Sequence, residues 1–206
     1  MTSETIAALP ALVGAAETLA EKARVALREK LSDKGRISAA LMEREQHAAH
    51  GFSWLATYVE ALRQLMHWQE RVAAEGKFGE IETLILEIGV GEYALQIVGG
   101  IPMSQGEIVR PYDVGLTDAD IAAFWAVAAG PARAAQDQAR KTRLAELIAA
   151  HPNAASHGVT GLDETMEMIR DQFRKFADEK VVPFANGWHM RDEFIPMSVV
   201  EEIGEL

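Results

Sequence analysis

Residues 169–206 contain Ile169-Arg-Asp-Gln-Phe173-Arg-Lys-Phe176-Ala-Asp-Glu-Lys180-Val-Val-Pro183, then Trp188-His-Met-Arg-Asp-Glu-Phe194-Ile-Pro196, then Val199-Val200-Glu-Glu-Ile203-Gly204-Glu-Leu206. Leu162, Met166, Ile169, Phe173 and Phe176 recur at spacings of 3 and 4, which predicts a helix over about 162–185 with one apolar face. A further short helix begins near Ser198, a residue type suited to capping it. Phe173, Phe176, Val181, Val182, Phe184, Trp188 and Phe194 have few apolar partners nearby in sequence. Standing alone, these helices expose an apolar patch of the kind that soluble monomers avoid.

The same helical period runs back through the chain. Leu12, Leu19, Ala23, Ala26, Leu27 and Leu31 mark a helix over about 12–31, with Pro10 suited to its first turn and Ser32-Asp33-Lys34-Gly35 as the stop. The longest segment, about 37–75, carries Phe52, Leu55, Val59, Leu62, Met66 and Gln69, flanked by Tyr58, Leu65 and Val72, and ends at Gly76. Another, about 79–98, carries Ile81, Leu84, Ile85, Ile88, Leu95 and Ile97, and tolerates Gly89 and Gly91, a sign of close helix–helix approach. Thr117-Asp-Ala-Asp120 opens a fourth segment that continues through Ile121, Phe124, Trp125 and Val127. Gly130-Pro131 should kink or split it, and His151-Pro152-Asn153 should end its Ala-rich second half. No stretch alternates with period two. The fold expected is all-α: an antiparallel helical bundle over 1–150, a linker over 151–160, and an incomplete helical unit over 161–206.

Composition narrows the function. The formal net charge is -11, and no concentrated basic face is visible, so nucleic acid is not an expected partner. Residues 161–206 hold 11 acids against 5 bases, a change of character that fits a boundary near residue 160. The absence of cysteine removes disulfides, thiolate metal sites and a cysteine nucleophile. No apolar run approaches the roughly 20 residues of a membrane span. The start, Met1-Thr-Ser-Glu-Thr, has neither the basic nor the apolar region of a signal peptide, so the expected location is cytoplasmic.

Few residue groupings suggest chemistry. Glu43, His47 and His50 share a helix face, but a carboxylate-bridged metal bundle needs matching Glu-x-x-His motifs, and the chain has none. Gly89-Val-Gly91 lacks the preceding strand and third glycine of a dinucleotide loop. Trp54, Trp68, Trp125 and Trp188 read as packing anchors. No catalytic and no metal-binding residue is assigned. In the segment Tyr93 to Glu107, a helix ends at Gly99-Gly100 and a polar loop follows with Ser104, Gln105 and Glu107, which on its own reads as a C-cap and a turn.

The order of spaced apolar residues and prolines in Ile169…Phe176, Val181-Val-Pro183, Trp188, Phe194-Ile-Pro196 and Ile203-Gly204-Glu-Leu206 resembles the first helices of the N-terminal domain of acyl-CoA dehydrogenases. This covers about a fifth of the chain, and a helical extension of some 150 residues precedes it. The resemblance implies the opening part of a longer FAD enzyme that oxidises an acyl-CoA thioester. A glutamate base would take the α-proton and flavin N5 the β-hydride. Electrons would pass to an electron-transferring flavoprotein, and the enzyme would be a homo-oligomer. The flavin sheet and catalytic base lie further along in that family, so the 206 residues alone are expected to be inactive. Glu167, Glu179 and Glu193 are not candidates for the base. The family's C-terminal bundle also has a helix ending in Gln, two residues and Gly-Gly, set against the ADP part of a neighbouring subunit's flavin. Gln96, Gly99 and Gly100 match it by position and are the candidate cofactor-binding residues. Ile101-Pro102-Met103 then departs from the family's aromatic and glycine, the mark of a copy that has kept the packing and lost the contact. The alternative is a stand-alone, non-enzymatic helical binding or assembly module.

Overall fold

The structure is a computed structural model that describes residues 4–152, 154 and 156–206. Asn153 of the predicted stop, Ala155 of the predicted linker and the first three residues of the N-terminal stretch lie outside the described residues. The fold is all-α, as the periodicity predicts. The chain divides into two compact units, Met1–Thr160 and Gly161–Leu206.

The first unit is built on four long helices: α1 (Glu4–Leu31), α3 (Gln46–Ala74), α4 (Glu80–Gly99) and α5 (Asp118–Ala135). Each packs on the next around a ring, α1 on α3, α3 on α4, α4 on α5 and α5 back on α1. Short α2 (Ala39–Arg44) precedes α3, and α6 (Gln138–Ala149) lies on α4. Phe124, Leu9, Leu12, Leu62, Leu86 and Val90 are fully enclosed in the shared core.

Several boundaries differ from the sequence reading. α1 begins at Glu4, so Pro10 lies inside the helix and not in its first turn. The ring of Pro10 is on the exposed side, where it displaces nothing in the core. The long segment over 37–75 is broken: Ser32–Asp33 (β1) pairs antiparallel with Arg36–Ile37 (β2), and Glu45 leaves helical geometry between α2 and α3. Ser38, which accepts from the Leu41 N–H, caps α2. Neither Gly130 nor Pro131 splits α5; the helix runs to Ala135, and the break falls at Gln136–Asp137, where Asp137 caps α6. Pro131 is buried on the side where α4 approaches, so packing offsets its missing backbone bond. α4 is apolar nearly all round because α3, α5 and α6 all lie against it. That is why Leu86, Val90 and Ala94 are its most enclosed side chains, while Ile81, Ile85 and Ile88 are half-buried.

Ion pairs sew the outer helix on. Arg140 of α6 reaches the buried Glu87 of α4, Lys141 reaches Glu92 at 2.9 Å, and Arg143 reaches Glu80 at 2.8 Å. At the start of α5 the expected capping box is present: Thr117 Oγ1 accepts from the Asp120 N–H at 3.3 Å, and the Thr117 N–H donates to Asp120 Oδ2 at 2.9 Å. Lys22 of α1 also donates to Asp120. Lys22 first, then the Thr117 hydroxyl and N–H, hold the Asp120 carboxyl down at about 2, from an ordinary 3.8. A depressed carboxylate contributes stability above its unfolded pKa and loses it as pH falls through the folded one. Stability of the native chain therefore drops between about pH 4 and pH 2, and Asp120→Asn flattens this drop. Urea midpoints measured across that range check it.

The second unit contains α7 (Glu164–Lys180), α8 (Val182–Met190) and α9 (Met197–Gly204). The single helix predicted over 162–185 is two, divided at Val181, because Pro183 cannot continue the bonding of α7 and instead starts α8. Asp163 caps α7 by accepting from the Met166 N–H at 2.8 Å. Ser198 is not a cap; it lies inside α9, and Pro196 holds the cap position. Lys180 meets Glu202 at 2.9 Å, tying α7 to α9. No residue of these three helices is buried. Phe173, Phe184, Met190, Phe194, Met197 and Val200 all stand exposed, Phe194 at 96%.

Candidate functional site

The segment singled out by its glycine pair forms a built corner. α4 ends as the Gly100 N–H donates to the Gln96 carbonyl at 2.8 Å, and Gly100 takes φ 131. The chain then reverses: Ile101–Pro102 (β3) pairs antiparallel with Ile108–Val109 (β4). Met103 N–H donates to the Glu107 carbonyl at 2.8 Å, closing the turn over Ser104–Gly106. Ile101, Met103 and Val109 point into the core and anchor the hairpin. Gly51 of α3 leaves room for Val109: a Cβ there would overlap Val109 Cγ2.

Each candidate residue has a definite place in this corner. Gln96 Oε1 accepts from the Tyr58 hydroxyl at 2.5 Å. Burial, and then the neighbouring Tyr93, push the Tyr58 hydroxyl above its ordinary range, so it stays protonated and donates. Tyr93 packs edge-on against Tyr58 with ring centroids 4.8 Å apart. Above Gly100, the position of a Cβ is filled by Ile108 Cγ2 at 2.6 Å. Gly99 alone is exposed, with nothing within 4 Å of an added Cβ. The three positions are thus adjacent at the corner. The glutamine oxygen is engaged, and the space at the second glycine is filled by the hairpin.

A groove of about 520 Å³ lies beside the hairpin, lined by Met42, Gln46, His47, Ala49, His50 and Glu107. Its two histidines have protein partners: His47 Nε2 stands 3.5 Å from Asp113 Oδ2, and His50 Nε2 accepts from Trp54 Nε1 at 3.0 Å. Glu43 is not in its lining. Among the described residues no group of three or more His, Asp or Glu is placed to hold a metal ion. Nor is any helix among them long and apolar enough to cross a membrane. Sequence reasoning missed one arrangement entirely, in which Glu82 and Trp68 both reach Val159. Separations of 77 and 91 residues leave no local signal for it.

Comparison with known proteins meets this structure at both units. Residues 163–206 match the acyl-CoA dehydrogenase N-terminal domain and fall within the second helical unit. The likeness of the chain to the N-terminal part of an acyl-CoA dehydrogenase is therefore established. More particularly, the chain is 50% identical over 190 residues, 92% of its length, to (2S)-methylsuccinyl-CoA dehydrogenase of Cereibacter sphaeroides. It spans about a third of that relative, 34% of its length.

Proposed function

We propose that this chain is the N-terminal portion of an FAD-dependent acyl-CoA dehydrogenase that oxidises (2S)-methylsuccinyl-CoA to mesaconyl-CoA, a step of the ethylmalonyl-CoA route. The observation that carries the reading is the reach of the identity. At 190 of the chain's 206 residues it must reach through most of the helical bundle, beyond the 44 residues matching the family domain. A likeness confined to that domain would support the family alone. The exposed apolar residues of α7, α8 and α9 support the same reading, because Phe173, Phe184 and Val200, one on each helix, suit a surface covered by more protein.

In the complete enzyme the thioester would lose an α-proton to a base and a β-hydride to FAD, leaving a carbon–carbon double bond. Neither group is assigned to a residue of this chain. The Gln96 side-chain oxygen is engaged by Tyr58 and Ile108 fills the space above Gly100, which supports the reading that the Gln96, Gly99 and Gly100 segment keeps the packing without a flavin contact. No step is derived through them. Electron-transferring flavoprotein as acceptor, assembly as a homo-oligomer and a cytoplasmic location belong to the same proposal.

The test compares two proteins with (2S)-methylsuccinyl-CoA and an artificial electron acceptor. The full-length polypeptide should reduce the acceptor, and the purified 206-residue chain should not. Turnover by the short chain would overturn the placement of the catalytic parts. Inactivity of the full-length, FAD-loaded protein toward this thioester, with activity on another, would overturn the substrate. A full-length polypeptide no longer than 206 residues would favour the stand-alone helical module.

A further inference from the structure

α6 is held to the bundle differently from the four long helices. Those meet through enclosed side chains, whereas no side chain of α6 is buried. Its apolar residues Leu144, Leu147 and Ile148 are only half-buried. What joins it to α4 is charge. Arg140 pairs with Glu87, and Lys141 Nζ donates to Glu92 Oε1 at 2.9 Å. Arg143 grips both oxygens of Glu80, Nε to Oε1 at 2.8 Å and Nη2 to Oε2 at 3.0 Å. Glu80 and Glu87 share one face of α4, with Leu84 between them at spacings of 4 and 3. Leu84 is 8% exposed, and the ion pairs on either side of it place α6 over it.

Three features make this attachment separable. The cations and two of the three glutamates are partly in water, where an ion pair contributes little and is screened by salt. α5 ends at Ala135 and α6 starts from its own Asp137 cap, so the backbone bonding of one helix does not run on into the other. A helix of 12 residues is marginal in water by itself, so α6 unwinds once it leaves α4. We propose that α6 is an electrostatic strap, which detaches from α4 and unwinds as a unit of its own, to an extent set by ionic strength, while the ring of α1, α3, α4 and α5 stays folded. Opening uncovers Leu84 within a rim made by Glu80, Glu87 and Glu92. The inference concerns the first unit alone and does not depend on the enzyme assignment.

Amide hydrogen exchange on the 206-residue chain, at about 0.01 M and about 1 M NaCl, tests it. At low salt the Leu144, Leu147 and Ile148 amides should be protected, but less than those of Val90 and Phe124 in the core. At high salt the three α6 amides should exchange about tenfold faster, the summed scale of a few partly exposed ion pairs, and the core amides should not accelerate. Arg143→Met, which keeps an apolar stem and removes an exposed charge, should speed the α6 amides at low salt and weaken their response to salt. Arg140→Met should do so more strongly, because it leaves the buried Glu87 without its cation, and the Val90 amide reports whether the bundle has survived. Exchange of the α6 amides in step with Val90 and Phe124 at both salt concentrations would overturn the proposal, since α6 would then open only with the whole bundle. α6 amides unprotected at low salt, unmoved by salt, or unaltered in both variants would overturn it equally.

Discussion

Gly91→Ala lowers the stability of the bundle by about 2 kcal/mol, whereas Gly89→Ala, two residues earlier on the same helix, raises it by up to about 1 kcal/mol. Both substitutions carry the same propensity gain of about 1 kcal/mol for replacing a helical glycine. They differ in what the new methyl meets. At Gly89 the nearest atom is Leu65 Cδ1 at 3.7 Å, an ordinary contact. At Gly91 the methyl overlaps the Ala135 Cβ and stands 2.6 Å from the Pro131 carbonyl oxygen. That oxygen belongs to the helix backbone at the buried Pro131 and cannot rotate away, so α4 and α5 must separate there. Overpacking costs about 1–3 kcal/mol, and a rigid obstacle places this case at about 3 before the propensity gain is subtracted. For a chain of this size the expected fall in Tm is about 4–8 °C. Thermal unfolding of the two variants beside the native protein checks the sign as well as the size. Equal stability of Gly91→Ala and the native chain would mean that the two helices are further apart than described.

Phe124→Ala has the largest expected effect, a loss of about 3–5 kcal/mol. Phe124 is the largest of the fully enclosed side chains, at 1% exposure, and sits on α5, the helix that packs on both α1 and α4. Truncation removes the transfer free energy of the ring and leaves a cavity that helices on both sides must collapse to fill. A domain of ordinary stability holds about 5–15 kcal/mol, so this one change removes a large part of the margin. Phe124→Leu keeps most of the volume and should cost less than about 1.5 kcal/mol. Urea unfolding of both variants measures the difference. A loss under about 1 kcal/mol for the alanine variant would show that α5 is not clamped between its two neighbours.

What the sequence made legible follows the range of the physical signal. Helix type and the buried stripes of α1 and α3 were readable because Leu12, Leu19, Leu27, Leu55, Val59 and Leu62 repeat within a few residues. The Thr117 cap was readable for the same reason. α4 hid its inner face because apolar residues stand nearly all round it between its glutamates, and periodicity then carries little direction. The continuity of α5 through Pro131 was not readable, since it depends on Gly91, 40 positions away, letting a second helix in. At the candidate site, the glycine-pair C-cap was visible in Gln96 to Gly100, but not the donation from Tyr58 or the filling of space by Ile108. These contacts join elements distant in sequence. The hold on Val159 lay beyond any local pattern, because linker composition describes solvation and says nothing of a distant carboxylate.

The most direct measurement on the central claim is the mass of the native polypeptide in its source cell, detected with an antibody raised against residues 1–150. A chain that is the opening portion of an acyl-CoA dehydrogenase should appear as a single product about three times the length of these 206 residues, in line with a relative of which they span 34%. A stable product at 22.5 kDa would contradict it, and the helical chain would then act alone.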